Sequence, residues 1–158
     1  MIDVKDLSRR FGDLVAVKEV SFEVAKGETF GLLGPNGAGK TTTINMLIGA
    51  LKPSGGSVAL NGQPDPTQAS VRKIMGMAPQ ALSLYDELSA AENLAFFARM
   101  YGMAGRTLRE RIDWALEFAG LEERRKSKVK TFSGGMKRRL NLACALVHEP
   151  EIVLLDEP

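Results

Sequence analysis

The chain has 158 residues, of which 44% are hydrophobic and 25% charged, with a net charge of +2 and one cysteine. That size suits one compact domain, the lone cysteine excludes an internal disulfide framework, and the near balance of charge gives no strong pull toward nucleic acid. No apolar run approaches the roughly 18 residues of a membrane-spanning helix, and the opening MIDVKDLSRRFG mixes acids with bases, unlike a secretory signal. A reducing, cytoplasmic setting is therefore expected, and any membrane role would come through a partner.

The first elements read as strands. Ile2 and Val4 alternate with Asp3 and Lys5, and Val20, Phe22 and Val24 alternate with Ser21 and Glu23, the period of a half-buried strand. Residues 29–33 form a fuller apolar run that predicts a strand ending at Gly34. Ile44, Leu47, Ile48 and Leu51 then recur at helical spacing. Pro53-Ser-Gly-Gly56 predicts a turn, followed by a strand through Val58 and Leu60 and a tight hairpin turn at Asn61-Gly62.

From Ser89 the pattern becomes helical. Ser89-Ala-Ala-Glu92 and Thr107-Leu-Arg-Glu110 both fit a capping box, in which side chains satisfy the orphan N–H groups of a first turn. Leu94, Phe97 and Met100 or Tyr101 share one predicted face; Leu108, Ile112, Ala115 and Ala119 share another, with Gly102 and Gly105 between the two helices. A last helix is expected from about Gly135 to Val147, with Cys144 as a small core residue and His148 at the surface beyond it. Pro150 precedes Ile152-Val-Leu-Leu155, an apolar run expected to be a fully buried parallel strand.

Gly34-Pro35-Asn36-Gly37-Ala38-Gly39-Lys40-Thr41 fits G-x-x-x-x-G-K-[ST] between a predicted strand and a predicted helix. A triphosphate is a dense anion. Successive backbone N–H groups can surround it only where no Cβ obstructs, which accounts for Gly37 and Gly39. The helix beginning near Lys40 turns its unpaired N–H groups and positive dipole end toward the same anion. Lys40 adds charge near the β and γ phosphates, Thr41 offers a hydroxyl to Mg²⁺, and Thr42 can reach the α phosphate. The expected ligands are a nucleoside triphosphate, which the resemblance described below makes ATP, and Mg²⁺. The metal also needs a carboxylate and the attacking water needs orienting. Asp156 and Glu157 fit those needs, Asp156 helping to hold Mg²⁺ and Glu157 polarising the water, because they follow an apolar strand at its C-terminal end.

Phe132-Ser133-Gly134-Gly135-Met136 precedes Lys137-Arg138-Arg139. Ser133 can serve as a helix N-cap, with the glycines exposing N–H groups beyond it. An ordinary loop before a helix is the alternative reading of those residues alone. GPNGAGKTT, the Gln80 of MAPQ, FSGGM and IVLLDEP together, in that order, resemble the ATP-binding domain of ABC transporters over essentially the whole chain. ELSAAENLAFFARMYG and SGGMKRRL resemble the subgroup that exports drugs, lipid-linked glycans or nodulation factors. Met136 stands where many members have Gln.

The resemblance implies an α/β fold: a phosphate-loop NTPase core with an N-terminal antiparallel β part over about 1–80, a helical insertion over about 84–145, and a return to the core sheet over about 150–158. It implies a head-to-tail homodimer or heterodimer, in which ATP held by loop 34–42 of one subunit is closed over by Ser133, Gly134 and Gly135 of the other. Phe11 matches the aromatic that stacks on adenine. Gln80 would sense Mg²⁺ and the attacking water. An integral membrane permease subunit is the implied partner, which places the protein at the cytoplasmic face of the membrane. Non-transport ABC-type ATPases of DNA repair or ribosomes are the alternative, and a small-molecule kinase would not need FSGGM. The family pattern continues past Pro158 with a further Asp loop and a switch histidine, so a partial chain is expected, poorly soluble and nearly inactive by itself. The basic residues Arg124, Arg125, Lys126, Lys128, Lys130, Lys137, Arg138 and Arg139 carry one interleaved aromatic, Phe132, and read as a solvated face rather than a nucleic-acid surface.

Overall fold

The computed structural model describes residues 1–156. The chain divides into two compact units, Met1–Arg72 and a second that begins at Lys73.

In the first unit, β1 (Ile2–Phe11) is the middle strand of an antiparallel sheet, between β2 (Leu14–Val24) and β3 (Gly55–Leu60). Phe11 pairs with Leu14, so Gly12 and Asp13 form a two-residue hairpin turn that the sequence reading did not anticipate. The expected alternation from Val20 to Val24 is present: Val24 is buried, Val20 and Phe22 are half-buried, and Ser21 and Glu23 are exposed. Ile2, Val4 and Leu7 supply the buried side of β1. The register slips between Val4 and Leu7 and again between Leu7 and Arg9. There Asp6 and Glu19 take left-handed φ values of 48° and 47°. Their N–H groups donate to the hydroxyls of Ser21 (2.8 Å) and Ser8 (2.9 Å), which replace lost ladder partners. Asn61 and Gly62 make the expected tight turn, with Leu60 and Gln63 exchanging two hydrogen bonds of 2.9 Å.

Residues 29–33 do not form the expected strand. Leu33 is 92% exposed, and Phe30 stacks instead on Phe22 with ring centroids 4.8 Å apart. An apolar run signals burial, but a strand exists only through a neighbour's ladder, and among the described residues none pairs with this segment. α1 (Lys40–Leu47) buries Ile44, Met46 and Leu47 and stops at Ile48, one turn short of Leu51.

In the second unit, β4 (Met75–Ala78) pairs in parallel with β5 (Ile152–Leu155), Met75 opposite Ile152 and Ala78 opposite Leu155. Neither β4 nor the short α2 (Ala69–Lys73) before it was legible in the sequence. β5 is not buried on both faces as expected. Ile152 and Leu154 on one face are buried while Val153 and Leu155 on the other are exposed.

α3 (Ala90–Met100), α4 (Gly105–Ala119) and α5 (Gly134–Leu146) pack on one another around Leu94, Leu108, Ile112, Leu116 and Leu140. Cys144 is buried in that core, and burial pushes its thiol pKa far up. α5 also packs on β4, closely enough that a Cβ on Gly76 would stand 2.3 Å from the Ala145 carbonyl oxygen. The Ser89 capping box forms: Ser89 Oγ accepts from Glu92 N–H (3.3 Å) and Glu92 Oε2 accepts from Ser89 N–H (2.8 Å). The Thr107 box does not. Gly105, at φ 60°, turns the chain into α4 three residues earlier than that box requires, so Thr107 lies inside the first turn and Glu110 pairs with Arg106 at 2.6 Å. Met100 is exposed, and Tyr101 takes the inward place.

His148 is the clearest correction in this unit. It is 9% exposed, stacked on Tyr101 with centroids 3.5 Å apart, and its Nε2 lies 2.9 Å from the Met75 carbonyl oxygen. The sequence placed it on the surface because nothing local marks it as buried. Burial, with Arg111 nearby, lowers its pKa below the usual 6.5. The unfolded chain therefore takes up a proton at higher pH than the folded one. The resulting stability is complete above the unfolded pKa and is lost as pH falls through the folded one. Urea unfolding of the intact protein should give a lower midpoint at about pH 5.5 than at about pH 7.5. His148→Phe, which keeps the stack, should narrow that gap; an unchanged gap would clear His148 of the effect.

Candidate nucleotide-binding site

The first unit carries the glycine loop. Gly37 and Gly39 both have left-handed backbones, φ 83° and 86°, and Ala38 N–H closes a turn onto the Pro35 carbonyl at 3.1 Å. A Cβ on Gly39 would stand 2.5 Å from the Ala16 carbonyl oxygen of β2, so only glycine lets the loop lie against that strand. Gly39 is also the N-cap of α1, with no side chain capping the first turn and no acid within it. The positive end of the helix dipole therefore meets no acidic residue of its own first turn. Lys40 reaches back along the loop, its Nζ donating to the carbonyl oxygens of Gly34 (2.7 Å) and Pro35 (3.1 Å). Gly34, Pro35, Asn36, Gly37, Ala38 and Thr41 are exposed, and Thr42 follows half-buried. Backbone donors, one ammonium and hydroxyls converging on open space are the donor set that a polyphosphate requires.

Phe11 ends β1 on this same unit and is 46% exposed. The Arg9 guanidinium covers its ring at 4.5 Å from the centroid and is held by the Lys52 carbonyl, to which Nη1 donates at 2.8 Å. Arg9 carries no sequence signal as a ring partner. With an arginine over the ring, a purine can stack only on the opposite side.

The second unit supplies Gln80 and Asp156. β4 and β5 run in parallel, and Asp156 N–H extends their ladder by donating to the Ala78 carbonyl at 3.0 Å. Gln80, two residues past the end of β4, and Asp156, one past β5, thus leave the sheet at the same C-terminal end. Asp156 is 5% exposed and Gln80 is exposed. Among the described residues no three His, Cys, Asp or Glu side chains gather to hold a metal by themselves. The candidates Thr41, Gln80 and Asp156 are all hard oxygen donors of the kind Mg²⁺ takes alongside water and phosphate. Glu157 lies outside the described residues.

Ser133 is the N-cap of α5, with Oγ accepting from Met136 N–H at 3.3 Å. Gly134 and Gly135 follow as its first helical residues, exposed, with nothing within 4 Å of the place where a Cβ would stand.

A family pattern described as ABC transporter matches residues 17–158. The chain belongs to the ABC transporter family. It is 43% identical over 159 residues to the linearmycin resistance ATP-binding protein LnrL of Bacillus subtilis (strain 168), covering 100% of this chain and 51% of that one. It is 47% identical over 158 residues to the Nod factor export ATP-binding protein I of Burkholderia pseudomallei (strain K96243), covering 99% of this chain and 52% of that one. The chain spans about half the length of the curated relatives it matches. Among solved structures it superposes on an ATP binding subunit of an ABC transporter with TM-score 0.89 and 35% identity, over 99% of this chain and 66% of that chain. It also superposes on cbiO1 from Clostridium perfringens, part of the ABC transporter complex cbiONQ, with TM-score 0.88, 30% identity and 65% of that chain covered. The α/β fold expected from the sequence is therefore that of ABC ATP-binding domains.

In this ABC domain, among the described residues, four of the eight residues of the basic stretch pair with acids. Lys128 and Lys130 pair with Glu87 at 3.3 and 3.0 Å, Lys137 with Asp86 at 2.7 Å, and Arg125 with Asp113. The two lysines hold the Glu87 carboxyl below its ordinary pKa by hydrogen bonding. Among the described residues no helix is long and apolar enough to cross a membrane.

Proposed function

We propose that the protein binds and hydrolyses ATP as the energy-coupling subunit of an exporter, working on an integral membrane permease from the cytoplasmic face of the membrane. The observation that carries this reading is the loop at residues 34–41. Gly37 is left-handed with nothing within 4 Å of where a Cβ would stand, no side chain caps the helix start, and Lys40 folds over loop carbonyls rather than into the core. Export as the direction rests on the relatives named for linearmycin resistance and Nod factor export.

Within this reading Lys40 and the loop N–H groups bind the phosphates, Thr42 contacts the α phosphate, and Phe11 stacks on adenine on the side away from Arg9. Thr41, Asp156 and Gln80 hold Mg²⁺, which when bound neutralises charge on the β and γ phosphates. Glu157 takes the proton of the attacking water. Residues 1–80 form the β part and loop core, 84–145 the helical part, and 150–158 the return to the core sheet.

Two subunits pair head to tail, each covering the other's ATP with its α5 tip. Gly134 and Gly135 support this. Glycine in a helical position costs about 1 kcal/mol relative to alanine, and no neighbour in this chain requires either one. A ligand or second chain pressed against that tip would supply the reason. Ser133→Arg tests it in the intact protein, because Ser133 is exposed and the substitution disturbs no core. Light scattering should show ATP-driven dimers in wild type and only monomers in the variant, with monomer ATP affinity changed by less than about twofold. Dimers of the variant at wild-type ATP concentration would remove the composite site.

A further inference from the structure

The loop that carries Gln80 is not held by its own sheet alone. Past Ala78 the chain leaves β4, and its backbone groups need other partners. α5 provides them from one stretch just beyond its Ser133 cap. Arg138 Nη1 donates to the Gln80 carbonyl oxygen at 2.7 Å. Asn141, 4% exposed, accepts from Ser83 N–H at 3.1 Å through Oδ1 and reaches the Pro79 carbonyl oxygen at 3.5 Å through Nδ2. Lys137 adds a 2.7 Å ion pair to Asp86. Positions 137, 138 and 141 lie on one side of the helix, at spacings of three and four residues. One turn further on, the same side carries the buried Cys144 and Ala145, so Asn141 sits where this side turns inward. A buried amide in such a face is unfavourable unless hydrogen-bonded, and here its bonds go to the loop on either side of Gln80.

We propose that Arg138 and Asn141 are positioning residues for Gln80. They fasten the backbone of residues 79–83 to the helix whose tip is Ser133, so that the Gln80 amide and that tip are displaced together. This rests on the role of Gln80 given above. The geometry gives each chain one rigid piece bearing two contacts: Gln80 toward the metal end of its own sheet, and Ser133 toward the nucleotide of the other subunit. Closure at one is then registered at the other without a separate signal.

The test compares Arg138→Met, Asn141→Leu and Asn141→Asp in the intact protein. Arg138→Met keeps the stem packing and loses the donor. Asn141→Leu keeps the volume and loses both bonds. Asn141→Asp keeps the acceptor for Ser83 N–H. Amide hydrogen exchange of residues 79–85, measured without nucleotide, should quicken about tenfold in Arg138→Met and Asn141→Leu and less in Asn141→Asp. The Mg²⁺ concentration for half-maximal ATPase activity should rise about tenfold in the first two, the range typical of lost outer-shell support. ATP affinity without Mg²⁺ should stay within about twofold, which separates positioning from general damage to the fold. Gln80→Ala is the control. If it raises the Mg²⁺ requirement while Arg138→Met and Asn141→Leu do not, the positioning inference is overturned and the role of Gln80 stands. If Gln80→Ala changes nothing, the role of Gln80 falls and the inference falls with it. Unchanged exchange in both variants overturns the fastening whatever the Mg²⁺ response.

Discussion

Glu157→Gln in the intact protein will bind ATP at wild-type affinity and hydrolyse it at least about 100-fold more slowly, the loss typical of a positioned acid–base group. Leu155 ends a parallel strand and Asp156 continues its ladder onto Ala78, so Asp156 sits where open α/β sheets bind ligands, with Glu157 next in sequence. In the proposed reading the pair divides the work: Asp156 stays with the metal, and Glu157 takes a proton from water as its oxygen attacks the γ phosphorus. Glutamine keeps the size and hydrogen-bonding of glutamate but cannot accept that proton at neutral pH. Binding, which depends on the glycine loop, should be spared, and ATP-bound dimers should accumulate. Phosphate release in a single turnover and calorimetric titration with ATP measure the two quantities separately. Wild-type turnover would remove Glu157 from the chemistry.

Lys40→Ala will do the reverse, abolishing most nucleotide affinity before chemistry is reached. A hydrogen bond to a charged group contributes roughly 1.5–3 kcal/mol, so the dissociation constant should rise about 10- to 100-fold. The fold should not suffer. Alanine is the best helix former at the start of α1, and the lysine's bonds in the free protein go to loop carbonyls at residues 34 and 35 rather than into a core. Those two bonds also mark where the ammonium must move from, since phosphate oxygens would compete with the carbonyls for the same protons. Calorimetry checks the affinity, and an unchanged thermal unfolding curve checks that the loss is local. Unaltered ATP binding would refute the assignment of the loop.

What could be read in the sequence was whatever one short window contains. The capping box at Ser89, the N-cap at Ser133, the tight turn at Asn61-Gly62 and the buried face of α4 each depend on residues within a turn or two, and each formed. The glycine loop was legible for the same reason, because wrapping a triphosphate with backbone needs glycines and a lysine at fixed offsets. Thr107 shows the limit of such reading: its box was chemically possible, but a left-handed Gly105 opened the helix sooner.

The sequence by itself determined the family, the glycine-loop motif and the three long helices of the second unit, since these rest on residue types at fixed spacing along the chain. Only the tertiary structure decided which apolar runs became strands, that His148 is enclosed against Tyr101, and that Arg138 and Asn141 of a distant helix hold the loop of Gln80. The reason is that a ladder, a stack or a side chain bonded to backbone dozens of residues away is a property of pairs, and no local pattern along one strand of text records its partner.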